Sequence, residues 1–450
     1  MANTYLTRTP SSTGSRRKFT FSFWIKRSAI SSSQTIYNVR PDSNGANRLS
    51  FHSSDTFRIS FEPINKYLFT NRVFVDPTSW SHIVVAVDTE QGTAADRVKL
   101  YVNGVQETSF STETYPDQNT DLDINTQNVI NIGRNLETSS NYFDGLISHF
   151  HFIDGTQYAA SDFGLTDVNT GEWIINTSPS VTYGTNGFFI LKDGNSVTDQ
   201  SPNTNNFTVS GGTLTSTEDN PSNNFAIISE LAGNPLELQN GGLKSVASNG
   251  ATSTKNPNFF STIGYNTGKF YWETKISNFS TGSGHSIGIV RTNTGHIPVV
   301  GGGSVDTGQS IPSNITLKFG EATPYISHYG TNVQSGSVGS FSSGDIVACS
   351  HDLSAGEFKF FKNGSQIGTT ITGMSSSGDG YFYLPFWLFE SKSSTRYCTM
   401  EWNMGNGYFG TTAVSSNSGN GYSATGNLGI FQHQPPTGGY TALCTKGLNL

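Results

Sequence analysis

Hydrophobic and polar residues alternate with a period of two in several short segments of the chain. Residues 19–26 read Phe-Thr-Phe-Ser-Phe-Trp-Ile-Lys, which places three phenylalanines and an isoleucine on one face of an extended strand. Residues 268–276, Gly-Lys-Phe-Tyr-Trp-Glu-Thr-Lys-Ile, show the same alternation in the second half. Residues 80–88 instead form a nearly continuous β-branched run, which is typical of a central strand covered on both faces. These patterns predict strands that contribute to buried cores.

Two Asn-Gly pairs each separate a pair of short apolar segments. Asn103-Gly104 follows residues 98–102, and Asn363-Gly364 follows residues 357–362. Because Asn and Gly tolerate the positive φ angles of a type I′ turn, both pairs predict two-residue β-hairpins. Further strands are predicted at residues 129–133, 143–153, 187–192 and 344–352.

The composition agrees with this pattern. Only 13% of the residues are charged, and glycine contributes 49 of 450 residues, whereas long surface helices require many Lys, Glu, Arg and Ala residues. The polar positions are filled largely by Ser, Thr, Asn and Gly, which are typical of exposed strands and turns. The sequence therefore predicts an all-β fold of two tandem antiparallel β-sandwich (jelly-roll) domains.

A dense run of turn-forming residues between 199 and 224 predicts the domain boundary. We expect a first sandwich at 1–228, a linker at 229–240 and a second sandwich at 241–412. Residues 413–450 are predicted to form an extended C-terminal tail, packed or donated to a neighbour, because Pro435 and Pro436 cannot continue a central strand.

The net charge of −7 provides no positive field for phosphates, so nucleic acid is not an expected partner. The sequence has no apolar run of 18 residues and no apparent secretion signal, so neither membrane insertion nor secretion is expected. Cys349, Cys398 and Cys444 have neither zinc-binding spacing nor an even number for full pairing, and they are predicted to be buried and reduced.

The first half resembles the concanavalin A-like lectin/glucanase (laminin-G-like) superfamily over about residues 1–225. The segments that carry this resemblance are 19–26, 80–88, 99–106 and 143–155. The second half resembles a SPRY domain. Its segments are 268–276, 344–364 and 402–405, with Met404 where that family usually has an aromatic residue. Residues 183–191, 219–226 and 435–445 look like segments of tail-fibre and other virion proteins of marine bacteriophages.

This resemblance implies a non-enzymatic phage virion protein, a tail-fibre or receptor-binding component that recognises host-surface glycan or protein. It would bind other virion proteins and form a homo-oligomer, with a trimer as the working hypothesis. It would lie on the virion surface, made in the host cytoplasm and released by lysis. The alternative is a capsid decoration or a tail or adaptor scaffold that binds only virion proteins. A polysaccharide depolymerase is favoured least, because the sequence lacks a strand with evenly spaced catalytic carboxylates.

Two loops carry candidate ligand-binding residues. Asp121, Asp123 and Asn125 imitate the start of a calcium loop, but positions six and twelve are Thr126 and Ile132 instead of Gly and Glu. A solvated loop is the favoured interpretation. Calcium held by noncontiguous oxygen ligands stays an alternative, and no other cofactor is expected.

The second loop contains Asn141, Tyr142 and Asp144, and it is a candidate for binding sugar. An aromatic ring can cover the apolar side of a pyranose while amides and carboxylates bind its hydroxyl groups. His149 and His151 follow on one strand face, but the sequence indicates no third metal ligand. No catalytic residue is predicted. Residues 381–387 form an aromatic strand that is predicted to fill a core.

Overall fold

Strands contain 49% of the residues and helices only 4%, which confirms the predicted all-β fold. The computed structural model describes residues 3–42, 45–192, 196–229, 237–247, 258–281, 285–293, 314–328, 331–335, 338–374, 381–389, 397–414, 422–423 and 428–449. The chain divides into two units. The first comprises Met1–Ser216 with Asn220–Ser222, and the second comprises Thr217–Asp219 with Asn223–Leu450.

The first unit is built from two large antiparallel sheets. Its strands are β1 (Tyr5–Arg8), β2 (Lys18–Arg27), β3 (Gln34–Asp42), β4 (Gly45–Phe51), β5 (Thr56–Phe61), β6 (Lys66–Val73), β7 (Ser81–Asp88), β8 (Val98–Val102), β9 (Val105–Glu107), β10 (Phe110–Glu113), β11 (Ile130–Ile132), β12 (Gly145–Asp154), β13 (Gly164–Thr166), β14 (Trp173–Ile175), β15 (Phe188–Ile190) and β16 (Thr208–Ser210). A short helix, α1 (Ala94–Arg97), precedes β8.

Among the described residues, one sheet of this unit has eight strands in the order β10-β6-β5-β4-β3-β11-β1-β16. The other has six strands in the order β15-β12-β2-β7-β8-β9, and β13 pairs with β14. We refer to the two large sheets as the eight-stranded sheet and the six-stranded sheet.

The core of the first unit contains residues from both large sheets. Phe19, Phe21, Phe23 and Ile25 of β2 are all buried in it, as the alternation predicts. Burying each of these side chains contributes about 1.5–3 kcal/mol to the hydrophobic free energy of folding. The Asn103-Gly104 turn has φ angles of 48° and 80°, and Val102 pairs with Val105 across it, which confirms the predicted hairpin.

Residues 156–183, called here the covering segment, pack on the face of the six-stranded sheet that points away from this core. Phe163 of this segment is buried beside Val84 and Ile153 of the sheet. Two hydrogen bonds fasten the segment to sheet histidines. The Trp173 indole N–H donates to His82 Nδ1 at 3.0 Å, and the Tyr183 hydroxyl lies 2.9 Å from His151 Nδ1.

The second unit also has two large antiparallel sheets. Its strands are β17 (Ile228–Ser229), β18 (Glu237–Gln239), β19 (Lys244–Ala247), β20 (Asn258–Ser261), β21 (Lys269–Phe279), β22 (His285–Asn293), β23 (Asn314–Phe319), β24 (Tyr325–His328), β25 (Thr331–Ser335), β26 (Ile346–Asp352), β27 (Glu357–Lys362), β28 (Ser365–Ile371), β29 (Tyr381–Leu388), β30 (Cys398–Asn403), β31 (Tyr408–Phe409), β32 (Thr412–Ala413), β33 (Tyr422–Ser423) and β34 (Ile430–Phe431).

In the part of this unit that the structure describes, the sheet orders are β17-β20-β29-β22-β23-β24-β25 and β18-β19-β30-β21-β26-β27-β28. Trp272, Trp387 and Trp402 are fully buried in the core, and Met404 is buried with them. The aromatic strand β29 is therefore a core strand, as predicted. The second Asn-Gly turn has φ angles of 48° and 82° at Asn363 and Gly364, which confirms the other hairpin.

The division of the chain differs from the predicted one at two places. Residues 223–229 belong to the second unit because their backbone pairs with it. Phe225 bridges Cys444, and β17 pairs with β20. Within the predicted linker 229–240, residues 237–239 form β18, while residues 230–236 lie outside the described residues.

The described part of the predicted C-terminal tail packs on its own unit and is not freely extended. Phe431, Ala442 and Cys444 are buried against Tyr271 of β21. The backbone N–H groups of Gln432 and His433 donate to the Glu273 carboxylate at 2.8 and 2.7 Å. This segment covers an apolar sheet face that would otherwise contact water.

The three cysteines are free and buried, as the sequence predicts. Among the helices in the described ranges, none has the length and apolar character needed to cross a membrane.

Candidate ligand-binding face

The face of the eight-stranded sheet that points away from the core carries a row of polar side chains. Adjacent strands place Leu6, Ile132, Tyr37, Leu49, Ile59 and Leu68 side by side in the core. Successive side chains of a strand point to opposite faces, so their neighbours form a second row on the outer face. This outer row comprises Thr7, Asn131, Asn38, Arg48, Ser60 and Tyr67. We call this surface, with the side chains beside it, the outer face.

Aromatic rings and guanidinium groups lie next to each other on the outer face. Arg58 of β5 pairs across strands with Phe69 of β6, and its guanidinium lies 4.3 Å from the centre of that ring. The Arg134 guanidinium lies 3.6 Å from the centre of the Tyr5 ring. Tyr67 lies beside Phe69, with ring centres 5.5 Å apart. These flat groups could contact a sugar ring or another planar ligand group.

Two carboxylates near the outer face are paired with arginines. Arg40 lies 3.6 Å from Glu137, and Arg48 forms an ion pair with Glu62. Burial lowers the pKa of the Arg48 and Arg58 guanidinium groups. Their charged forms are therefore less well solvated than free arginine and benefit from a nearby anion.

The loop between β11 and β12 borders the outer face and carries one predicted group of site residues. Its Leu136 N–H donates to Asn38 Oδ1 at 3.4 Å, and the Tyr142 ring centre is 6.4 Å from that of Tyr5. Asn141 is exposed with a φ of 50°, and its carbonyl accepts from the Thr35 N–H at 2.8 Å. The sequence therefore located a loop that packs on this face, against β3 and β1.

Asp144 lies at the end of the same loop. Its carbonyl accepts a hydrogen bond from the Ser28 N–H at 2.9 Å, just beyond the end of β2. Burial raises the pKa of its carboxyl group.

The other predicted group lies at the opposite end of β2. Arg17 binds Asp121 at 2.7 Å, and Arg16 binds Asp123 at 2.6 Å, both just before Lys18. The ten residues of β2 separate this end from Asp144 by about 30 Å, at ~3.3 Å per residue. The structure therefore does not bring the two predicted groups into one site.

Asn125 completes a buried polar network at that end. Its Nδ2 donates to Asp154 Oδ1 at 2.6 Å, and its Oδ1 accepts from Asn186 Nδ2 at 2.8 Å. In the described ranges, no three His, Cys, Asp or Glu side chains are grouped so that they could hold a metal ion. Asp121, Asp123 and Asn125 thus have structural partners in this unit.

His149 and His151 lie on the outer side of the six-stranded sheet, under the covering segment. Both rings contact Phe189, with centre distances of 5.7 and 3.9 Å. His149 has a φ of 49° at a β-bulge, and its Nδ1 lies 2.7 Å from Ser148 Oγ. Both histidines are buried, as is His82.

A separate cavity of about 170 Å³ opens at one end of the first unit and is lined by residues that include Arg27, Phe51, Phe74 and Val75. The Arg27 guanidinium is bound to Asp55 at 2.9 Å and to the Phe74 carbonyl at 2.6 Å. Since this buried charge already has partners, we consider the outer face the stronger candidate.

The sequence interpretation missed Arg58, Phe69, Tyr5 and Arg134. One signal was present, because residues 56–61 alternate so that Arg58 faces away from the core. Arg134 follows β11 in a loop, where no strand alternation indicates its direction.

The two units define a β-sandwich protein whose first unit carries a polar, aromatic-rich sheet face. Residues 2–161 match the family model described as the concanavalin A-like lectin/glucanases superfamily. No curated protein matches the sequence.

SPRY domains are among the structural neighbours. The SPRY domain of human HERC1 is 16% identical, with a TM-score of 0.30, and the match covers 39% of this chain and 96% of that one. The TRIM65 PSpry domain is 16% identical, with a TM-score of 0.30 and coverage of 40% and 88%. A heptameric SAP-like pentraxin from Limulus polyphemus is 16% identical, with a TM-score of 0.26 and coverage of 34% and 71%. Similarities at this level of sequence identity and TM-score do not indicate a function for this chain.

Proposed function

We propose that this chain is a non-enzymatic virion protein of a bacteriophage that recognises a host-surface glycan through the outer face of its first unit. The observation that carries the glycan part is the group of half-buried aromatic rings, Tyr5, Tyr67 and Phe69, that lies beside arginine side chains on that face. The virion part is supported by the resemblance of residues 183–191, 219–226 and 435–445 to phage virion proteins.

Glycan recognition fits the chemistry of this surface. The apolar side of a pyranose packs on aromatic rings, and its hydroxyl groups bind amide, hydroxyl and guanidinium groups. Phe69 and Tyr67 supply rings on β6, and Arg58 and Arg134 supply guanidinium groups beside the rings of Phe69 and Tyr5. The Tyr142 loop borders the same surface.

The pairing of carboxylates supports a binding role over a hydrolytic one. A glycosidase needs two carboxyl groups about 5–9.5 Å apart that can act on the bond between two sugars. Glu62 and Glu137, two carboxylates next to the outer face, are each held by an arginine of the sheet. Release of reducing ends from host polysaccharide by the purified chain would contradict the non-enzymatic proposal.

We further propose that the protein lies on the virion surface with other virion proteins as partners, and that it forms a homo-oligomer, with a trimer as the working hypothesis. Several modest sites on one particle then act together through a high effective concentration. The chain would be made in the host cytoplasm and released by lysis.

The test is binding of the fluorescently labelled full chain to host cells. We expect binding to be lost after the cells are treated with periodate, which oxidises glycans, and retained after protease treatment. Tyr67→Ala should weaken binding roughly tenfold, equivalent to ~1.4 kcal/mol. Tyr397→Ala is the matched control, because Tyr397 is an aromatic residue of the second unit that is 42% exposed.

Two results would favour other functions. If protease treatment of the cells abolishes binding and periodate treatment does not, the receptor is a protein. Absence of any cell binding, together with contacts only to other virion proteins in a map of the particle, would favour the capsid decoration or adaptor alternative.

A further inference from the structure

Arg58 and Arg134 differ from the other arginines around the outer face. Arg40 and Arg48 each have a carboxylate partner. Among the described residues, Arg58 and Arg134 have neither a hydrogen bond nor an ion pair with the protein, and each is held by an aromatic ring. The outer face therefore presents two positive charges that no carboxylate of the described residues neutralises.

The ring contacts leave the N–H groups of both guanidinium groups without a hydrogen-bond partner among the described residues. Both Nε atoms are buried, so the terminal N–H groups are the ones that can donate to the two oxygens of a carboxylate or sulfate group. Phe69 and Tyr5 thus orient Arg58 and Arg134, at 4.3 and 3.6 Å from the ring centres. This arrangement suits recognition of an anion better than a freely rotating lysine would.

Two amide groups of the central strands are buried and take no part in a surface contact. Asn131 is fully buried, and neither its Oδ1 nor its Nδ2 has a hydrogen-bond partner within the described structure. Asn38 beside it is also fully buried, and its Oδ1 accepts from the Leu136 N–H of the loop between β11 and β12. Recognition of a ligand on the outer face therefore depends on the two arginines and their rings.

The spacing of the two charges indicates a polymer. Arg58 is on β5 and Arg134 follows β11, and these strands are separated by β4 and β3. Three spacings of ~4.8 Å place the two strands about 14 Å apart. One small anion cannot bind both guanidinium groups, whereas a chain of sugar residues with repeated acidic groups can.

We infer that the glycan recognised by the outer face is an acidic polysaccharide, whose carboxylate or sulfate groups bind Arg58 and Arg134. This inference rests on the proposed function and specifies its ligand class.

The experiment measures binding of the full chain to two matched pairs of polymers by biolayer interferometry. Polygalacturonate is compared with its methyl ester, and dextran sulfate with dextran, so each pair differs in its acidic groups. We expect the acidic member of at least one pair to bind at least tenfold more tightly than its neutral partner. The identity of that pair shows whether the site prefers carboxylate or sulfate. Binding should weaken as the salt concentration rises, because counterions screen these contacts.

The double variant Arg58→Gln/Arg134→Gln should bind the acidic polymer roughly tenfold or more weakly, since each lost contact is a charge-assisted hydrogen bond. The control is Arg17→Gln/Arg72→Gln, which removes the same charge from side chains that are 38% and 49% exposed. It should bind as the unmodified chain does. Thermal unfolding of both variants checks that they are folded.

Equal binding of neutral and acidic polymers, or equal losses in the two double variants, would overturn the inference and leave the proposed function standing. If none of the four polymers binds while the chain still binds host cells and periodate abolishes that binding, the inference is likewise overturned and the proposed function stands. If binding to host cells is also absent, the proposed function fails and this inference fails with it.

Discussion

The acid sensitivity of the first unit should depend on His82. This ring is fully buried and stacked on Trp24, with ring centres 4.8 Å apart. An indole N–H can only donate, so the 3.0 Å bond from Trp173 requires an unprotonated Nδ1 on His82. The proton of the neutral ring therefore lies on Nε2, which is 2.8 Å from Ser22 Oγ. A second proton on the His82 ring would place an Nδ1–H group against the indole N–H of Trp173.

Burial, with a smaller contribution from the charge of His149, lowers the pKa of His82 from 6.5 to about 3. The folded state thus disfavours the charged ring. The resulting stability is fully present above pH 6.5 and is lost as the pH falls, because the unfolded chain gains a proton that the folded chain does not. At ~1.4 kcal/mol per pH unit, the free energy of unfolding should fall by about 3 kcal/mol between pH 7 and pH 4 through this group.

The assay is hydrogen exchange measured by mass spectrometry on peptides from β7, with rates corrected for the intrinsic pH dependence. It reports the opening free energy of the first unit separately from the second. His82→Gln removes the titrating group. The variant is expected to be less stable at pH 7. Between pH 7 and pH 4, however, its free energy of unfolding should fall by about 3 kcal/mol less than that of the unmodified chain. His52→Gln, at a half-exposed histidine, is the control. Equal losses in His82→Gln and the unmodified chain would refute the reasoning.

Two further predictions concern other parts of the fold. Burial raises the pKa of Glu273 from 4.5 to about 7, so the stability it contributes is complete below pH 4.5 and is lost as the pH rises through 7. Between pH 5 and pH 8.5, hydrogen exchange in β21 peptides should accelerate by an amount equivalent to a loss of about 3 kcal/mol in the opening free energy. Glu273→Gln should remove most of this acceleration. An unaltered exchange profile in this variant would contradict the prediction. Gly104 and Gly171 both have positive φ, but a Cβ on Gly104 would lie 2.4 Å from the Trp173 ring, whereas one on Gly171 meets nothing within 4 Å. Gly104→Ala should therefore lower the midpoint of thermal unfolding of the first unit clearly more than Gly171→Ala does. At Gly171 only the backbone cost of ~1 kcal/mol applies. Equal shifts in the two variants would show that the Trp173 ring moves freely.

Most of the secondary structure could be predicted because its signals are local. The alternation in residues 19–26 identified the face of β2 that enters the core between the two sheets, and each Asn-Gly pair identified a hairpin. The C-terminal segment was less predictable. Its prolines and glycines indicate an irregular backbone, but the sequence does not reveal that the Glu273 carboxylate, more than 150 residues earlier, receives its N–H groups.

The candidate site was only partly predictable. The Asn141–Asp144 loop does border the outer face, whereas Asp121, Asp123 and Asn125 bind partners at the other end of β2. Loop residues of similar composition look alike in sequence, and only the strand that separates them shows that they are far apart.

The sequence by itself determined that this protein is all-β, where its main hairpins turn and which face of β2 enters the core, because those properties follow from a residue and its near neighbours. The tertiary structure decided which charges are neutralised. Arg16 meets Asp123 across 107 positions of the chain, while Arg58 and Arg134 contact aromatic rings and have no carboxylate partner among the described residues. Pairing of charges depends on distances in space, which the folded sheets set and the order of residues does not reveal.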